Sequence, residues 1–281
     1  MAENLGSAAP APAAASPGGQ GQAADALVID GLVAGYGGGD VLRGVSFGAP
    51  RGGITAIIGP NGAGKSTLLA AIIGLLRPRA GRVLAEGKEI TGTPPEQTLA
   101  AGVTIVLQAR SLFPDMTVQE NVELGGYTIR DRRVFAERLA AIPELFPAVR
   151  QFAHRKAGRL SGGQQRMVEF ARSLMLDPSV ILLDEPSMGL DPASLRAVYD
   201  AIGQMRAAGK TVLLVEQNAK AALEVADKAV LLEAGLVRLS GPARELLDHP
   251  DVGRVYLGRG RTRNEAASNG AVSNGKEQAE R

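Results

Sequence analysis

Five residues with almost no polar content, Ile54-Thr55-Ala56-Ile57-Ile58, run directly into Gly59-Pro60-Asn61-Gly62-Ala63-Gly64-Lys65-Ser66-Thr67. This junction constrains the fold more than any other part of the chain. A strand without apolar/polar alternation has both faces covered, which requires helices or a second sheet on either side of it. The glycines let backbone N–H groups curl around an anion without a Cβ in the way. A helix starting at Lys65 presents its positive end to the same anion. The nine residues match the phosphate-binding loop throughout. Lys65 supplies a point charge to β- and γ-phosphates, and the Ser66 hydroxyl is suited to ligate Mg²⁺. A plain strand-to-helix turn with a chance Lys-Ser is the competing reading, and the apolar strand ahead of it argues against that.

The rest of the chain alternates in the same manner. Residues 27–33 and 41–47 flank a glycine turn and read as an antiparallel hairpin. Residues 103–107, 180–183, 212–215 and 229–232 read as further buried parallel strands. Asp184 and Glu185 follow four apolar residues, which puts two carboxylates at the C-terminal end of a strand, where ligands gather in open α/β sheets. Asp184 is the candidate Mg²⁺ ligand, and Glu185 the candidate to orient an attacking water. Two acids capping the next helix would be the ordinary alternative. Residues 111–159 carry prolines at 114, 143 and 147 and helical spacing around 134–142, so they read as a helical insertion. Residues 68–76 form the longest apolar stretch and read as a buried helix.

Composition closes off other chemistries. The chain of 281 residues has no cysteine, which excludes disulfides and thiolate sites, and two histidines, His154 and His249, are too few for a histidine-rich metal centre. A net charge of +2 gives no electrostatic case for nucleic acid. No run approaches the ~18 apolar residues of a membrane span. Residues 1–24 lack Lys and Arg and do not resemble a signal peptide, so a cytoplasmic chain is expected. Residues 1–25 and 259–281 have the composition of disordered tails, leaving one domain over 26–258 with a helical subdomain at about 111–175.

A second motif, Leu160-Ser161-Gly162-Gly163-Gln164, lies just upstream of Val180-Ile181-Leu182-Leu183-Asp184-Glu185. Ser161 can cap a helix whose N–H groups face an anion, and the two glycines permit close approach. Met167, Phe170, Ala171 and Leu174 continue that helix on one face. Together the motifs resemble the ATP-binding cassette ATPases, the motor subunits of ABC transporters, over about residues 27–258. The resemblance implies a P-loop core with a mainly parallel sheet, an antiparallel β subdomain and an inserted helical subdomain. It implies ATP and Mg²⁺ as ligands, with Ser161, Gly162, Gly163 and Gln164 facing the γ-phosphate held by a second ATPase subunit. By the same resemblance Gln108 contacts Mg²⁺ or water, Tyr36 stacks on adenine, and Asp191 reaches across the dimer. For Tyr36 a plain turn tyrosine competes, for Gln108 an ordinary loop glutamine, and Asp191-Pro192 is also a good N-cap and first-turn pair.

One position departs from the family pattern. Where most cassette ATPases carry a histidine, this chain has Glu216-Gln217-Asn218. Gln217 donates a neutral hydrogen bond and cannot become cationic. A site built on this P-loop is therefore expected to turn over more slowly than one with histidine. The Val-Glu-Gln-Asn context, the run from Leu183 to Leu190 and the ending Val255-Tyr256-Leu257-Gly258 resemble the second ATPase of branched-chain amino-acid importers and their urea/amide relatives. Gln108 is closer to the urea members, since many amino-acid members have Glu there. That family pairs two ATPases under two membrane permeases at the cytoplasmic face, fed by a periplasmic binding protein, with a permease helix seated around residues 111–123. A soluble cassette ATPase of ribosomes or DNA is the reading from another class. Such proteins carry two cassettes or long coiled coils, and this chain has neither.

Overall fold

The computed structural model describes residues 25–250 and 252–253. Both proposed tails lie outside the described residues, except that Asp25 opens the first strand, and so does the ending Val255–Gly258 of the proposed domain. Two sheets share the fold. β1 (Asp25–Ala34), β2 (Leu42–Pro50), β4 (Ala80–Ala85) and β5 (Lys88–Glu89) form an antiparallel sheet ordered β2-β1-β4-β5. The second sheet contains β3 (Ile54–Ile58), β6 (Val103–Val106), β7 (Val180–Asp184), β8 (Thr211–Glu216), β9 (Lys228–Glu233) and β10 (Leu236–Pro242), ordered β10-β9-β3-β8-β7-β6. Its pairs are parallel from β9 through β6, and only the edge strand β10 runs antiparallel.

The hydrophobic pattern explains this layering. Every residue of β3 is buried, and alternate side chains enter different cores. Ile54, Ala56 and Ile58 join the core shared with most of the helices. Ile57 joins a second core with Leu68, Leu69, Ala71 and Ile72 of α1 (Lys65–Ile72) and with Leu27, Ile29 and Leu32 of β1. The antiparallel sheet thus covers α1, and α1 covers one face of the parallel sheet. The apolar stretch at 68–76 is not helical to its end, because α1 stops at Ile72, Gly74 has φ +80° and Leu75 is exposed.

The segment after β6 is helical, as its spacing suggests. α2 (Pro95–Ala100) precedes β6, and α3 (Val118–Leu124), α4 (Arg132–Leu145) and α5 (Pro147–Gln151) follow it. A capping box at Thr117, with Glu120 returning the bond, starts α3. All three pack on α6 (Gly162–Leu174). α7 (Pro192–Ala207), α8 (Ala219–Val225) and α9 (Ala243–Asp248) follow among the described residues. Among the described residues no helix is long and apolar enough to cross a membrane.

Candidate nucleotide site

The strand order β3-β8-β7-β6 lines up four C-terminal ends. The phosphate loop leaves β3, Gln217 leaves β8, Glu185 leaves β7 and Gln108 leaves β6. Four segments scattered over more than 150 residues of sequence therefore meet along one edge because neighbouring parallel strands end together. They enclose a cavity of about 420 Å³ lined by residues 61–67, Gln108, Glu185 and Gln217, among others.

The loop itself is shaped by close backbone approach. A Cβ on Gly59 would fall 2.2 Å from the Leu232 carbonyl, and Gly64 sits at φ +108°, so neither position accepts a side chain without strain. α1 starts with no side-chain cap, which leaves its first N–H groups free for an anion. Lys65 is only 6% exposed, and its Nζ donates to the carbonyls of Gly59 at 2.8 Å and Pro60 at 3.3 Å. The ammonium is thus held within the curl of the loop. Ser66 is exposed, whereas Thr67 is buried.

Glu185 has φ +44°, an uncommon conformation for a residue with a Cβ, and its backbone N–H donates to Val215 at 2.9 Å. Its Oε2 accepts from Gln108 Nε2 at 3.0 Å, and its Oε1 lies 4.0 Å from Lys65 Nζ. The bend after β7 is also held by Glu216, a buried carboxylate that accepts from Ser187 N at 3.1 Å and whose pKa is raised by burial. The Asp184 carboxyl is also raised, by burial first and by the charge of Glu185 second. Such a site gains from a cation. Its donors, the Ser66 hydroxyl, the Asp184 carboxylate and the Gln108 amide, are hard oxygens that fit Mg²⁺. No group of three His, Cys, Asp or Glu among the described residues could hold a metal alone.

Gln217 reaches the phosphate loop, its Nε2 lying 3.4 Å from Asn61 Oδ1. Tyr36 is 61% exposed on the turn between β1 and β2 and does not line the cavity, although Val41 of the same turn does. Ser161, Gly162, Gly163, Gln164 and Asp191 are not part of the cavity lining either. They form a second locus where two helices begin side by side. Ser161 Oγ accepts from Gln164 N at 3.3 Å and Gln164 Oε1 from Ser161 N at 3.0 Å, a complete capping box for α6. Asp191 caps α7 through Ala193 N and Ser194 N, and takes the Ser194 hydroxyl at 2.5 Å. These bonds, the hydroxyl's first, hold the Asp191 carboxyl below its usual range.

On α6, Phe170, Ala171 and Leu174 are buried and Met167 is half-buried. Two buried charges on the same helix were not anticipated. Arg166 Nη1 donates to Glu169 Oε2 at 2.8 Å, with both side chains almost fully covered. The sequence held a signal for this: Arg166 stands four residues before Phe170 and so shares its inward face.

A phosphate loop on a parallel sheet, with an acidic pair on a nearby strand and a lysine held in the loop, defines a nucleoside-triphosphate-hydrolysing P-loop protein. Comparison with known proteins narrows this. Residues 42–188 match the ABC transporter family. The chain is 40% identical over 228 residues to a probable branched-chain amino acid transport ATP-binding protein, LivF, of Archaeoglobus fulgidus, covering 81% of this chain and 96% of that protein. It is 39% identical over 223 residues to the high-affinity branched-chain amino acid transport ATP-binding protein BraG of Pseudomonas aeruginosa, covering 79% and 95%. Its fold is similar to the ADP conformation of MJ1267, an ATP-binding cassette of an ABC transporter, with a TM-score of 0.74, 30% identity, and 84% and 99% coverage. The chain belongs to the ABC transporter family, and it is an ATP-binding cassette ATPase.

Proposed function

We propose that this chain is the ATP-hydrolysing motor subunit of an ABC importer, working at the cytoplasmic face of a membrane on branched-chain amino acids. The carrying observation is the separation of two loci on one chain. The cavity holds Lys65, Ser66, Gln108, Glu185 and Gln217, while Ser161–Gln164 and Asp191 form a surface that this cavity does not use. A site completed by a second ATPase subunit accounts for both loci. The names of the LivF and BraG relatives support the importer class and the solute.

In this reading residues 59–67 cradle the phosphates and Lys65 neutralises charge on the transferred group. Ser66, Asp184 and Gln108 hold Mg²⁺, which when bound offsets charge building on the phosphate oxygens. Glu185 orients and polarises the attacking water. Tyr36 stacks on adenine, Gln217 hydrogen-bonds toward the γ-phosphate, and the partner's signature helix closes over the nucleotide. A groove of about 450 Å³ beside residues 104–113, with Phe113, Leu124 and Tyr127 on its wall, suits a helix from one of two permease subunits. A periplasmic binding protein would deliver the solute on the far side. Glutamine at 108 favours a urea or amide importer as the second reading.

The test is Glu185→Gln in the assembled complex. ATP should bind and hold a closed ATPase dimer while kcat falls by about 10²–10⁴. Unimpaired hydrolysis would remove Glu185 from the assigned role.

A further inference from the structure

The buried charges of α6 meet the segment that carries Gln108. β6 ends at Val106, paired with Leu183, so the carbonyls of Leu107 and Gln108 lie beyond the sheet's hydrogen-bond ladder. Arg166 takes both: Nη1 donates to Leu107 O at 2.9 Å and Nη2 to Gln108 O at 3.1 Å. A guanidinium is suited to this because its planar fork addresses two acceptors at once. Glu169 fixes the fork through Oε2, and its Oε1 accepts from Ser111 N at 2.6 Å and from Ser111 Oγ at 3.1 Å. Arg172, one turn on, donates to Ser111 O at 2.8 Å and also to the Ser111 hydroxyl. Residues 107–111 are therefore gripped by three side chains of one helix.

That helix begins with the signature residues, and the gripped segment ends in the groove. Ser111, Glu169 and Arg172 line the groove. Gln108 reaches the other way, to Glu185 Oε2 at 3.0 Å. We propose that the Arg166–Glu169 pair is a positioning device that locks residues 107–111 to the signature helix, so that one displacement in the groove moves Gln108 and Ser161–Gln164 together. Arg166 touches neither nucleotide nor water; it acts through the backbone of Gln108. The inference rests on the reading of Gln108 as a member of the ATP site and of the groove as the permease contact.

The lock predicts a defined kinetic pattern in the assembled transporter. R166M/E169Q removes both charges together, which avoids stranding one buried charge, and the glutamine retains an acceptor for Ser111 N. This variant should lower kcat for ATP about tenfold while KM for ATP stays within about twofold, since the loss is one of geometry. In a Q108A background the same double substitution should cost nothing further, because the group it positions has gone. R166K keeps a charge opposite Glu169 but loses the two-pronged grip, and should match the double variant. An additive loss in the Q108A background, or full activity of R166K, overturns the proposal. Should Q108A alone leave kcat unchanged, the assignment of Gln108 fails first and the lock falls with it, a pattern distinct from additivity.

Discussion

Gly162 and Gly163 are adjacent and similar in sequence, yet the structure assigns them opposite tolerances. A Cβ on Gly163 would lie 2.5 Å from Ser194 Oγ and 2.6 Å from Ser194 Cβ, well inside the ~3.5–4.0 Å at which carbons make contact. Relief means moving the start of α7, where the Ser194 hydroxyl is bonded to Asp191. Overpacking of this kind costs about 1–3 kcal/mol and the strained hydrogen bond about 0.5–1.5 kcal/mol. Alanine's helix propensity returns only ~1 kcal/mol. Gly163→Ala should therefore destabilise the chain by about 1–3 kcal/mol, lowering Tm by roughly 3–10 °C. A Cβ on Gly162 meets only Arg110 Nη2 at 3.1 Å and Leu190 Cδ2 at 3.3 Å, two side-chain ends able to shift. Gly162→Ala should leave Tm unchanged or raise it by up to ~3 °C, through the lower entropy of the unfolded chain. If the signature faces a partner's phosphate, the same methyl stands where that anion must approach, and ATPase activity of the complex should fall about 100-fold. Thermal melts of the purified variants and ATPase rates of the reconstituted complex decide the matter. A Gly162→Ala variant that melts as low as Gly163→Ala, or that keeps full activity, refutes the reasoning.

Gln217→His should raise kcat in the assembled complex roughly tenfold, by placing a titratable imidazole beside the phosphate loop; an unchanged rate removes the idea that glutamine slows this site. Asp184→Asn bears on stability without nucleotide. The Asp184 pKa is raised above 3.8, so the folded chain holds that proton where the unfolded chain has released it. Stability therefore falls as pH rises from about 4 through the raised value, and asparagine removes the penalty above that window. At neutral pH the variant should melt about 1–2 °C higher than wild type, with the gap closing below about pH 4. A lower Tm at neutral pH would contradict it.

The legible parts of the sequence were those where one local rule acts alone. β3, β7 and β8 are each built on a nearly unbroken apolar run, and their ends fall within a residue of where the pattern puts them. Asp191 and Ser161 sit at helix starts, with short side chains that bond the nearest free N–H groups. β4, β5 and β10 were not anticipated: β5 and β10 are sheet edges whose exposed positions carry Lys88 and Arg238, and β4, although internal, opens on Ala80, Gly81 and Arg82 with no apolar run. α1 ended early because Gly74 turns the chain away, although Leu75 and Leu76 keep the composition apolar. The positive φ of Glu185 has no sequence signal, since the contacts around it are long-range: its N–H donates to Val215, and Glu216 holds the bend at Ser187.

The residues that escaped the sequence reading also bear on how the site is divided. Glu185 already meets both Gln108 and Lys65 within this chain, so this half of the site needs no partner for its assembly. The signature locus is equally complete, with its helix capped by its own Ser161 and Gln164 and braced by Asp191 and Ser194. On the proposed reading the two halves face different nucleotides, and they need a rigid link if ATP in one site is to be sensed in the other. The short path between them runs from Gln108 through Arg166 and up α6 to Gln164. On the proposed reading, a chain whose own site carries glutamine at 217 would contribute to turnover largely along that path, by presenting Ser161–Gln164 to its partner's nucleotide. Loss of the Arg166–Glu169 lock should then lower the ATPase rate of the complex by as large a factor as Gln217→His raises it, although Arg166 and Glu169 touch neither nucleotide.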